Sequence, residues 1–98
     1  MRLSVGGELD RAVTGRLERA FETALEARSE HIVLDLGAVT FLDLAGIRTL
    51  LRAHARARDR GLELTVVRPS STASRIFTLT RVGEVLTVTD RDPSVANP

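Results

Sequence analysis

The stretch Ile32-Val33-Leu34-Asp35-Leu36-Gly37-Ala38-Val39-Thr40-Phe41-Leu42-Asp43-Leu44-Ala45-Gly46-Ile47 decides the fold. Its first five residues form a nearly continuous apolar run, the pattern of a strand covered on both faces. Gly37 is expected to end that strand, and Val39 to Leu42 lead into Asp43. From Leu44 the spacing turns helical: Ile47, Leu50, Leu51, His54 and Ala57 or Arg58 fall on one stripe. Asp43 stands where an N-cap carboxylate accepts backbone N–H groups and suits the positive helix end. Gly61 stands where a C′ glycine closes a helix, so this one is bracketed at both ends.

Outward from this segment the alternation repeats. Leu3 and Val5 predict a short strand running into a turn at Gly6-Gly7. Leu17, Phe21, Ala24, Leu25 and Arg28 make one helical stripe, with Thr14 a possible cap and Asp10 or Arg11 a possible start. Glu18, Glu22 and Glu26 lie four apart on another face, which reads as solvated rather than held by ion pairs. Leu62, Leu64 and Val66 alternate as a third strand, with Val67 at its end. Pro69-Ser70-Ser71 is a turn, Ser74 to Leu79 a short helix, and Val85 to Val88 a last strand. Residues 1–90 form one expected domain, and Arg91 to Pro98 a frayed tail. The order β-α-β-α-β-α-β makes crossover units and a mostly parallel sheet.

Composition narrows function. Ninety-eight residues suit one domain. Fourteen arginines against thirteen acids leave +1, so total charge demands neither nucleic acid nor an anionic membrane. Lysine is absent, which removes Schiff-base chemistry, and cysteine is absent, which removes thiolate sites and disulfides. Without Trp or Tyr, stacking on bases starts poorly. No stretch reads as a signal peptide or membrane helix, and the expected compartment is the cytoplasm.

Candidate sites follow. His54 reads as a core-edge or partner-facing residue and His31 as a surface one; no serine lies in a nucleophile-elbow context. No catalytic set, cofactor or metal is therefore expected. Asp35 and Asp43 flank one strand-to-helix connection and could hold a cation, but such acids more often cap or hold loops. Thr40 through Gly46 is a helix start with small residues, suited to an anion or a partner's side chain. Arg48, Arg52, Arg56 and Arg60 repeat every four residues. That row is read first as a solvated face and second as a strip for an acidic partner.

Four stretches together resemble a STAS domain, the sulfate-transporter and anti-sigma-factor-antagonist family. They are Gly7-Glu8-Leu9-Asp10, Ile32 to Leu36, Val39 to Ile47, and Gly61 to Val67. The resemblance implies an α/β fold with a small mixed, mostly parallel sheet and helices packed mainly on one face. It also implies a non-catalytic antagonist that binds an anti-sigma factor, usually a kinase-like ATPase, in partner switching. In the family the kinase phosphorylates the second serine of Asp-Ser-Ser-Gly. Here those serine positions are Leu44 and Ala45. Ala45 has no hydroxyl, so constitutive binding is expected, with Leu44 in a dry contact or partly buried. Thr40 and Thr49 are the nearest substitute acceptors. Partner-binding candidates are Asp43, Leu44, Ala45, Gly46, Arg48 and Thr40, with Asp10 carried over by resemblance. The family usually places another strand before the one leading to Gly7, so the first strand here is expected to be short or missing. The edge so exposed would be covered by a second copy. Two other functions fit the resemblance: an accessory subunit of a lipid-transport ATP-binding-cassette system, and an anion- or nucleotide-sensing domain.

Overall fold

Parallel strands need crossovers, and the two long apolar stripes supply them. The computed structural model describes residues 1–27, 30–69 and 72–90. Strand β1 (Arg2–Leu9) is followed by helix α1 (Arg11–Glu26), β2 (His31–Leu42), α2 (Leu44–Asp59), β3 (Glu63–Val67), α3 (Arg75–Leu79) and β4 (Thr87–Thr89). Short 3-10 turns cover Thr72–Ser74 and Val82–Glu84. The strands lie in the order β1-β2-β3-β4, and all three pairings are parallel. A monotonic order with crossovers of one hand places the connecting helices on one face.

That face carries the core. Ile32, Leu34 and Leu36 of β2 are fully buried and cluster with Leu17, Phe21 and Leu25 of α1, Ile47 and Leu50 of α2, and Phe77. The opposite face is more polar: His31 Nε2 and Thr65 Oγ1 lie 2.8 Å apart, and Arg2 pairs with Asp35 at 2.6 Å. His31 is thus half-buried rather than a plain surface residue.

Several predicted details change. Gly37 does not end the central strand, and Gly6-Gly7 is not a turn. Between Ser4 opposite Asp35 and Gly6 opposite Ala38, β2 holds one more residue than β1. A second extra residue falls between Gly7 opposite Val39 and Glu8 opposite Phe41. Both are bulges in β2, which bend a strand without stopping its pairing. Gly37 sits in the first, where its N–H donates to Asp35 Oδ1 at 2.8 Å. Gly6 lets β1 stay close to β2, because a Cβ there would lie 3.2 Å from the Ala38 Cβ. Gly7 has φ +74°, reached without cost only by glycine. The short strand predicted at Leu3 and Val5 is therefore eight residues long, Arg2–Leu9.

The buried side of α2 is Ile47, Leu50, Ala53 and Ala57 together with Gly46 and Thr49, while Leu51 and His54 are only half-buried. The last strand begins two residues later than predicted, since Val85 is 55% exposed beside the 3-10 turn. Arg28, Ser70, Ser71 and the 91–98 tail lie outside the described residues.

The acidic row of α1 and the basic row of α2, both read as solvated, meet across the two helices. Arg52 Nη2 is 2.6 Å from Glu18 Oε1, and Arg56 pairs with Glu22. The partners are 34 positions apart, so neither helix alone reveals the pairing. Both pairs are substantially exposed, which limits each to a few tenths of a kcal/mol up to about 1 kcal/mol.

Candidate functional site

In an all-parallel sheet every strand delivers its last residue to the same edge. Leu9 lies opposite Leu42, so Asp10 and Asp43 follow them side by side, each directly before a helix. Both helix starts therefore turn their positive ends to one edge, with a carboxylate at each.

Asp43 caps α2 as its position predicts. Its Oδ1 accepts the Gly46 N–H at 2.9 Å, and its carbonyl accepts the Ile47 N–H at 3.0 Å. Removing the carboxylate with Asp43→Ala is expected to cost about 1 kcal/mol, read as a lower denaturation midpoint at constant slope. The Asp10 carbonyl accepts from Val13 and Thr14 N–H at 3.0 and 3.1 Å, opening α1. Asp35, the other acid of the cation reading, lies in mid-β2 and is committed to Gly37 and Arg2. Among the described residues no group of three or more His, Asp or Glu converges as metal ligands would.

Gly46 is required by packing. A Cβ there would stand 2.5 Å from Leu42 Cδ1 and 2.8 Å from the Leu9 carbonyl oxygen. The start of α2 thus rests directly on the end of β1.

What the edge presents outward is apolar. Leu44 is 62% exposed, so the chain itself does not bury it. Phe41, two residues before Asp43, is 49% exposed, and Leu79 of α3 is 80% exposed. A shallow cleft of about 270 Å³ joins Phe41 to Ala73, Ile76 and Leu79, with Thr40 and Arg75 also in its walls. Ile76 and Leu79 were not picked out as site residues in the sequence. Only the three-dimensional return of the chain after β3 brings them to the end of β2, although an apolar residue as exposed as Leu79 is a recognisable signal once α3 is placed.

The remaining candidates separate. Thr40 is exposed beside Phe41, and Arg48 is exposed on the second turn of α2 with no ion pair among the described residues. Arg52 and Arg56 are instead committed to α1. Thr49 is only 2% exposed; its hydroxyl donates to the Ala45 carbonyl at 3.0 Å and accepts from Arg52 at 3.3 Å. Ala45 is half-buried.

A family model described as "Mlab, STAS domain" matches residues 1–88. The chain belongs to the STAS domain family. A solved structure of an anti-sigma factor antagonist from Mycobacterium paratuberculosis is similar to this STAS domain, with a TM-score of 0.75 and 25% identity. The match covers 92% of this chain and 76% of that one. The expected α/β STAS architecture is thus the observed one, and the sheet, expected to be mixed and mostly parallel, is wholly parallel among the described residues. Among the described residues no helix of this STAS domain is long and apolar enough to cross a membrane.

Proposed function

We propose that this STAS domain is a non-catalytic binding module of the anti-sigma-factor-antagonist type, acting in the cytoplasm. It engages an anti-sigma factor of the kinase-like ATPase class, and it does so without being phosphorylated at position 45. The observation that carries this reading is the exposed pair Leu44 and Phe41 flanking the Asp43 cap. Solvent-facing apolar side chains on a rigid helix start suit a dry protein contact. Leu44 and Phe41 anchor the contact, Arg48 and Asp10 supply charge at its rim, and Thr40 lies beside it. Asp43 and Gly46 hold the backbone in place, and Ala45 keeps the surface free of a phosphoryl acceptor.

The proposal has a direct test. Incubation of the wild-type chain with ATP and an anti-sigma kinase that binds it should leave its intact mass unchanged and the complex whole. Ala45→Ser restores a hydroxyl and is expected to gain one phosphoryl group, then to lose binding. A doubly negative group at this edge would repel a partner that fits an apolar one. A phosphorylated wild-type chain would refute the reading.

A second reading, an accessory subunit of a lipid-transport ATP-binding-cassette system, is supported by the family description, which names a Mlab-type domain and not an antagonist. It uses the same apolar edge and equally needs no acceptor at position 45. Capture of a transporter ATPase in place of an anti-sigma factor would favour it.

A further inference from the structure

The central strand outruns its neighbour. β2 continues to Leu42, but its last pairing with β3 is Asp35 opposite Val67. Beyond that point the 3-10 turn Thr72–Ser74, which leads into α3, packs against β2 instead. The cleft between Phe41 and Leu79 is the gap this arrangement leaves. Its walls are apolar and poorly covered. Phe41, Leu44 and Leu79 are three of the five large apolar residues strongly exposed among the described residues, so exposure is concentrated at this one rim. Such concentration marks a contact surface. Among the described residues lining the cleft, Arg75 is the only charged one. Arg75 is exposed and has no ion pair among the described residues, and the same holds for Arg48 on α2.

Resting on the antagonist-type reading of this rim, we infer that the cleft receives a large apolar side chain of the partner, Leu or Phe. An Asp or Glu next to that side chain pairs with Arg75. Burial of the apolar side chain supplies the affinity, and a guanidinium at the margin sets which partner is accepted. Other occupants fit less well. A bilayer surface is recognised by clusters of about four to eight basic residues, and Arg75 stands alone in this cleft. A second copy could offer Leu44 beside Asp43, but that carboxylate is held by the Gly46 N–H.

Two helical peptides of about 15 residues probe the cleft directly, one with a leucine stripe flanked by Glu and one with the same stripe flanked by Lys. In an NMR titration the Glu peptide should bind the wild-type chain about tenfold more tightly, with the largest amide shifts at Phe41, Arg75 and Leu79. Arg75→Glu should abolish that preference, and Leu79→Asp should weaken both peptides. Both residues are exposed, so the melts of the two variants should match wild type. In titration with the anti-sigma factor, Arg75→Glu should lower affinity about tenfold. Equal binding of the two peptides, or a preference that survives Arg75→Glu, overturns the inference. So does binding to phosphatidylglycerol vesicles, or self-association, that Leu79→Asp removes. If Leu44→Asp abolishes anti-sigma factor binding while Arg75→Glu and Leu79→Asp leave it unchanged, the inference fails and the proposed function stands. If all three leave it unchanged, the proposed function fails with it.

Discussion

Leu44→Asp is expected to abolish anti-sigma factor binding while leaving the fold intact. At 62% exposure the leucine contributes little to the core, so its loss opens no cavity. The new carboxylate sits in the first turn of α2, where the positive helix end favours it by a few tenths of a kcal/mol. The melting temperature should therefore hold or rise slightly. Binding should move the other way. Covering a leucine with a partner's apolar surface is worth about 1.5–3 kcal/mol. Pressing an unpaired carboxylate into the same contact adds a desolvation penalty above the roughly 1–3 kcal/mol of a neutral polar group. Together these come to at least about 2.5 kcal/mol, a loss of roughly 60-fold or more in affinity. Calorimetric titration with circular dichroism melts of both proteins checks both halves. Undiminished affinity would remove Leu44 from the interface.

Gly46→Ala should show the second large effect, with a sign opposite to helix propensity. In an exposed helix interior alanine is preferred to glycine by about 1 kcal/mol. At this position the added methyl meets Leu42 Cδ1 at 2.5 Å and the Leu9 carbonyl oxygen at 2.8 Å. The leucine tip can turn aside, but the carbonyl belongs to β1 and cannot move without disturbing its pairing with β2. Overpacking of this kind costs about 1–3 kcal/mol, more than the propensity gain at its upper end. In a domain of this size the melting temperature should fall by several degrees. Gly46→Val should be worse, because its branched side chain adds bulk on the same side. An alanine variant more stable than wild type would show that the contact relaxes freely.

The wiring of the fold was legible because local signals agreed with one another. Asp43 and Gly61 bracket α2, and Leu17, Phe21, Ala24 and Leu25 are buried as their spacing predicts. The errors have a common physical origin. Gly37 and Gly6-Gly7 carry the composition of breaks, but whether a glycine ends a strand or relaxes it into a bulge depends on the neighbouring strand. The rows of Glu18 and Glu22 and of Arg52 and Arg56 looked solvated because each helix was read alone, and their pairing exists only once α1 lies against α2. Within the site, Asp43, Leu44 and Gly46 could be chosen from their order after an apolar run. The opening of the cleft towards Ile76 and Leu79 could not, since it depends on where the chain passes after β3.

The parallel sheet also sets the direction from which a partner reaches the molecule. The Asp10 and Asp43 helix starts and the cleft beside Phe41 lie at the C-terminal ends of the strands, so the contact proposed above is approached along the strand axis and leaves the helix-covered face of the sheet untouched.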